Sequence, residues 1–261
     1  MTTDTLLILN KMPIVYTFEN GDALSGGLNS FVEKASRDSI AKHGYLSIAI
    51  SGGSLPKILS KELAYNKNVE FNKWHIFWAD ERCVSHDDPD SNYLEVKKSL
   101  LDHIPQIPQE NIYPINQAFA IAKDAENAAT EYEQQLKKFF KNELPNFDLL
   151  LLGMGPDGHC CSLFPGHPLL NEQTRWVAPI TDSPKPPPER ITLTYPVVNN
   201  SQMVVFVTAG EGKKDMVQQI IEQPEKNLPC QRVKPVGKVY WFIDHGAASK
   251  LRKESCSEYK L

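Results

Sequence analysis

Asp157 and His159 stand two residues apart in the stretch Phe147 to Pro168, FDLLLLGMGPDGHCCSLFPGHP. An imidazole has an ordinary pKa of ~6.5 and can take a proton and return it near neutral pH. A carboxylate beside it can orient the ring or stabilise its cation. The pair follows a continuous apolar run, Leu149 to Leu152, which reads as a strand buried on both faces. Gly153, Gly155, Pro156 and Gly158 then break the run, so the backbone can turn sharply and a ligand can approach the main chain, at Gly155 among others. The carboxyl end of a buried strand is where an open α/β sheet places its chemistry. A plainer alternative makes Asp157 the cap of a short following helix and His159 a surface loop residue.

A second group of residues suits an anion. Tyr45 to Ile50 reads as a strand that ends in Ser51-Gly52-Gly53-Ser54, and Pro56 fits the first turn of a following helix capped at Ser54 or Leu55. Strand, glycine turn and helix start aim free N–H groups at one point, although a mere tight turn has the same sequence. Arg82 ends the run Ala79-Asp80-Glu81-Arg82 after a strand at Trp74 to Trp78. Asn92 opens the next helix, and the proline-rich loop Thr181 to Arg190 carries Lys185 and Arg190. Lys213 lies near a helix start, where a cation is unfavourable against the dipole unless it faces an anion. His86 with Asp87, Asp88 and Asp90 matches no calcium or zinc loop and reads as a solvated turn, and His75 reads as structural.

The elements that must position these residues alternate. Pro13 to Phe18 reads as an opening strand, and Asp22 as the cap of a helix that runs with interruptions to His43 and ends at Gly44. A helix is expected from about Asn92 to His103. A long one is expected from Ala118 to Lys141, with Ala125, Ala129, Tyr132, Leu136 and Phe139 or Phe140 as its core stripe. Ile191 to Tyr195, Met203 to Thr208 and Val239 to Ile243 read as strands, and a helix is expected to run to about Glu222. Alternation of strands with helices predicts an α/β fold with a largely parallel sheet. Right-handed crossovers then gather the polar strand ends on one edge.

The chain of 261 residues, with no long linker and no repeat, reads as one domain spanning 1–261. Its formal charge of −4 gives no general pull toward nucleic acid or anionic membrane, and no apolar run approaches the ~20 residues of a bilayer span. The N-terminal MTTDTLLILNKMP has an apolar patch without a basic region or cleavage site, and is read as mature sequence. The five cysteines lack CxxC spacing, which points to a reduced, cytoplasmic protein with no thiolate metal site. The nucleotide loop GxxxxGK[ST] does not occur. The residues alone lead to a sugar-phosphate-like ligand and acid–base chemistry.

SGGSLP, WADER with SNY after it, LLLGMGPDGHCCSLFPGHP, PKPPPERIT and GEGKK occur in this order, and together they resemble the 6-phosphogluconolactonase family. The resemblance covers Ser51 to Lys214 and departs from the family at Leu55, where Thr is frequent, and at Cys160-Cys161, where Thr-Ala is common. It implies a Rossmann-like three-layer sandwich of the phosphosugar isomerase/lactonase type. It implies hydrolysis of 6-phospho-D-glucono-1,5-lactone in the oxidative pentose phosphate pathway, with no metal or organic cofactor. The partner is then a small sugar-phosphate lactone, with no nucleic acid and no membrane, and the protein is expected to be a monomer. His159 becomes the base and Asp157 its orienting partner. Ser51, Gly52, Gly53, Ser54, Arg82, Asn92, Gly155, Lys185, Arg190 and Lys213 become the substrate- and phosphate-binding set, with Asn92 holding either Arg82 or a substrate hydroxyl. Two other classes compete. A glucosamine-6-phosphate deaminase shares the DGH motif, but it carries a glutamate soon after the histidine, and here no acid lies between His159 and Glu172. A sugar-phosphate sensor would carry a helix-turn-helix or a basic patch, and neither is seen.

Overall fold

The computed structural model describes residues 12–260. The reading of the N-terminus as mature sequence therefore falls mostly outside the described residues. The chain opens with β1 (Ile14–Phe18), then α1 (Gly21–His43), β2 (Leu46–Ile50), α2 (Leu55–Leu63) and β3 (Trp74–Trp78). There follow β4 (Asp80–Arg82), α3 (Asn92–Ser99), β5 (Ile112–Tyr113), α4 (Gln117–Ile121), α5 (Ala125–Phe139) and β6 (Leu149–Leu152). The remainder is β7 (Val177–Ile180), β8 (Arg190–Leu193), α6 (Tyr195–Asn199), β9 (Met203–Thr208), α7 (Lys214–Glu222), β10 (Lys238–Asp244), α8 (His245–Ala248) and β11 (Ser257–Glu258).

Eight strands form one sheet in the order β11-β1-β10-β9-β6-β2-β3-β5, and every pair in it is parallel. Alternate residues of the central strands feed two separate cores, as the two-residue period of a strand requires. Leu149 and Leu151 pack with α1, α2 and α3 through Leu28, Leu59 and Val96. Leu150 and Leu152 pack on the other side with Tyr132, Leu136 and Val217 of α5 and α7. This is the three-layer α/β sandwich, and its central strands are apolar throughout because neither face meets water.

The topology also selects the place for a ligand. From β2 the chain proceeds to β3 and β5 on one side, and from β6 to β9 and β10 on the other. The strand order reverses between β2 and β6, and the crevice beyond their carboxyl ends is the position that open α/β sheets use for binding. The segments 51–54 and 153–159 flank that crevice.

Several local expectations are corrected. Asn20, not Asp22, caps α1: its side chain accepts the N–H groups of Asp22 and Ala23, and the helix runs to His43 without interruption. The long helix expected over 118–141 is two, because Lys123 adopts φ 56 and Asp124 caps a fresh start. The core stripe is nevertheless as expected, with Ala125, Ala129, Tyr132 and Leu136 buried. The helix expected to reach His103 ends at Ser99 and continues as a 3₁₀ turn over Leu101–His103. The strand expected at 191–195 is Arg190–Leu193, and it lies outside the main sheet.

Candidate active site

A cleft of about 220 Å³ opens at the reversal point. Ser51, Gly52, Gly53, Ser54, Arg82, Asn92, Gly155, His159, Arg190 and Lys213 all line it, so ten of the twelve expected site residues converge there. Asp157 and Lys185 are not part of this lining. A larger, mostly apolar groove of about 620 Å³ lies along Ile220, Val233 and Trp241, and the described residues lining it include no carboxylate and no imidazole.

The loop after β6 is built around the imidazole. The N–H of Gly155 donates to the carbonyl of His159 at 2.9 Å and that of Gly158 to the carbonyl of Gly155 at 3.0 Å, so the segment folds back on itself. A Cβ on Gly155 would lie 2.0 Å from Cε1 and Nδ1 of His159, so only glycine lets the ring lie over this backbone. The ring also packs against Phe164, with centroids 4.5 Å apart and planes tilted by 43°. No helix begins at Asp157, and the side chain of His159 is only 15% exposed, which removes the capping-and-surface alternative.

Asp157 Oδ1 accepts a hydrogen bond from Nδ1 of His159. Burial pushes the Asp157 carboxyl up, but the bond to His159, its charge and that of Lys185 bring it below the usual carboxylate range. An ionised carboxylate on Nδ1 fixes the proton there and leaves Nε2 with its lone pair. Burial holds His159 below its ordinary value, against the opposing bond and charge of Asp157, so the ring is a neutral base at neutral pH. Lys185 Nζ stands 3.3 Å from the same Asp157 oxygen, and its charge also bears on His159 and Lys213. Lys213 Nζ donates to the carbonyl of Met154 at 3.0 Å, which fixes its cation on the loop side of the cleft, and burial lowers its pKa.

The anion side is assembled from two sheets. β2 ends in Ser51, and the segment 52–54 leads into α2 with Pro56 in its first turn. Ser54 occupies the cap position but makes no side-chain cap bond, so the backbone N–H groups there keep their donors. A Cβ on Gly52 would lie 1.9 Å from Oδ1 of Asn92, so this glycine admits the asparagine side chain. Asn92 does not hold the Arg82 side chain, as one expectation had it. Its Nδ2 donates to the carbonyl of Asp80 at 2.9 Å, and Arg82 instead donates from Nη1 to the carbonyl of Asp90 at 2.6 Å.

A small antiparallel sheet, β4-β8-β7, places Arg82 directly opposite Arg190. Like charges in such a pair repel, so an anion between them is favoured. The two arginines differ in their freedom. Arg190 is 3% exposed and donates to the carbonyls of Lys185, Pro186 and Pro187 at 2.9–3.0 Å, so it shapes the proline-rich loop. Arg82 is only partly buried and bonds through Nη1 to Asp90, while its Nε is buried without a partner among the described residues.

Sequence reasoning missed three residues here. Asp80 lines the cleft and accepts from Oγ of Ser162 at 2.9 Å. Thr208, at the end of β9, lines it with a buried hydroxyl that lacks a partner among the described residues. Glu81 lies beneath it. The position of Asp80 and Thr208 at the ends of strands was the available signal for both. Cys160 and Cys161 are buried free thiols, and Cys161 lines the cleft. Among the described residues, no group of three or more His, Cys, Asp or Glu is disposed to hold a metal ion, and no helix is long and apolar enough to cross a membrane.

Comparison with known proteins places the chain in a family. The family described as glucosamine-6-phosphate isomerases/6-phosphogluconolactonase matches residues 19–241. The "probable 6-phosphogluconolactonase" of Schizosaccharomyces pombe is 45% identical over 249 residues, covering 92% of this chain and 97% of that protein. The crystal structure of 6-phosphogluconolactonase from Leishmania guyanensis superposes with a TM-score of 0.79 at 29% identity, covering 92% of this chain and 99% of that one. A monomeric glucosamine-6-phosphate deaminase superposes with a TM-score of 0.74 at 21% identity over 92% of this chain and 100% of its own, a likeness of fold alone. The chain belongs to the glucosamine-6-phosphate isomerase/6-phosphogluconolactonase family.

Proposed function

We propose that this chain hydrolyses 6-phospho-D-glucono-1,5-lactone to 6-phosphogluconate, the second step of the oxidative pentose phosphate pathway. The observation that carries the reading is the imidazole of His159, held at Nδ1 by Asp157 and presented in the same cleft as the amide turn and Arg82. The names of its relatives support it. The phosphate rests on the N–H groups of Gly52, Gly53 and Ser54 and on Arg82, by charge-assisted hydrogen bonds. Nε2 of His159 removes a proton from water as its oxygen attacks C1. The C1–O5 bond then breaks, and the imidazolium returns its proton to the departing ring oxygen. Asp157 holds the ring and stabilises the cation between the two steps, and Lys185 keeps Asp157 ionised. Water is activated by the imidazole, without a metal. The enzyme works as a monomer, and in the cytoplasm, the compartment that its five unpaired cysteines support.

The deaminase reading finds no support at the corresponding acid. Glu172 is the first carboxylate after His159, and its Oε1 accepts from Thr174 and Arg175 away from the cleft lining. An assay of the purified protein with 6-phosphogluconolactone and with glucosamine 6-phosphate distinguishes the two. Turnover of the lactone alone is expected. Release of ammonia from the amino sugar phosphate would reverse the assignment.

A further inference from the structure

Glu81 is 1% exposed, and its carboxylate is surrounded by donors. Oε1 accepts from the N–H of Arg82 at 2.7 Å and from that of Asn92 at 2.8 Å. Oε2 accepts from the N–H of Tyr93 at 2.6 Å and from Oγ of Ser91 at 3.3 Å. Both neighbours on Oε1 are cleft residues. Arg82 is the less buried of the two arginines that line the cleft, and Asn92 is the side chain that the Gly52 turn is shaped to admit.

We infer that Glu81 is a positioning residue for the substrate's phosphate, clamping the Arg82 strand end to the first turn of α3 so that Arg82, Asn92 and the glycine turn keep one mutual geometry. The inference rests on the lactonase reading of the cleft. Four donors converge on two oxygens, and only a carboxylate can accept from all of them. An amide in its place turns an NH₂ group toward two of those donors and leaves them unpaired in a buried setting. The acid also sits against N–H groups of the first turn of α3 that have no helical acceptor, where negative charge is favoured. Burial opposes its ionisation, and the amides of Asn92, Arg82 and Tyr93 pull the other way, toward the carboxylate. A buried acid that needs this many donors has a specific arrangement to keep.

The test compares wild type with Glu81→Gln on two lactones and on inorganic phosphate. For 6-phosphogluconolactone, KM is expected to rise about tenfold, with kcat within about threefold of wild type, as loss of a buried polar arrangement on the binding side alone would give. For unphosphorylated gluconolactone, kcat/KM is expected to stay within about twofold. Inorganic phosphate, titrated by calorimetry, is expected to bind about tenfold more weakly. Equal losses on both lactones would show that Glu81 merely holds the fold and would overturn the inference. So would unchanged phosphate affinity. Failure of wild type to hydrolyse the phosphorylated lactone would strike the functional reading instead, and the phosphate titration would still decide on Glu81. If Glu81→Gln does not fold, Ser91→Ala removes one donor to Oε2. It should weaken phosphate about threefold, and wild-type affinity in that variant would again overturn the role.

Discussion

Replacing the carboxylate behind His159 separates two of its effects. Asp157→Asn removes the charge, and weakens the bond, that raise the histidine's pKa, so burial acts with less opposition. The neutral imidazole then persists to lower pH, and the acid limb of the kcat/KM profile should move downward. The plateau should fall as well, because an amide no longer dictates which ring nitrogen carries the proton. The substrate phosphate also ionises near pH ~6, but it does so identically for both proteins, so the difference isolates the histidine. An acid limb that stays in place or moves upward would remove Asp157 from this role. At this scale the pair was legible because its members lie two apart after an apolar run. Glu81 was not, since an acid inside ADER reads as a solvated strand end. Its burial comes from Asn92 and Tyr93, a loop away in sequence.

Gly155 extends the argument to the loop as an element. Gly155→Ala drives a methyl group into the space of the His159 ring. Turnover is expected to fall at least about tenfold, with the thermal midpoint little changed, since the ring and not the core must move. Wild-type turnover in this variant would show that the ring position does not matter. The anion side has its own test in Arg82→Ala. It should weaken binding of 6-phosphogluconolactone by about 1.5–3 kcal/mol, the range for a lost charge-assisted hydrogen bond, and leave the poor hydrolysis of unphosphorylated gluconolactone nearly as it was. Equal losses on both would assign Arg82 to structure. The element that sets Arg82 against Arg190 was the hardest to foresee. β4 has three residues, and its partner β8 lies more than a hundred positions away. β7 was silent for a physical reason. Pro179 interrupts its apolar run, and a proline is tolerated there because β7 is an edge strand paired only with β8.

At the scale of the whole molecule, alternation of apolar strands with helices was enough to expect a parallel sheet with its polar ends on one edge. The five strand ends do lie on that edge, and four of them supply the cleft lining. The fifth, Asp244-His245, acts from behind: both oxygens of Asp244 accept from the N–H of Gly210 at 3.0 Å and brace the turn before Lys213. Strand order was not legible, because it depends on which faces the helices cover. That order places the reversal between β2 and β6, and with it the anion turn beside the imidazole loop. The central claim is that this juxtaposition makes His159 the base in a phosphorylated-lactone hydrolase. Its most direct test is turnover of 6-phosphogluconolactone by His159→Ala and wild type, both dialysed against EDTA, with spontaneous opening subtracted. Wild type should keep its full rate after dialysis, and the variant should lose about 10²–10⁴-fold while still binding 6-phosphogluconate. A variant that turns over nearly as fast as wild type, or a wild type that loses its rate on dialysis and regains it with one equivalent of a divalent metal, would contradict the claim.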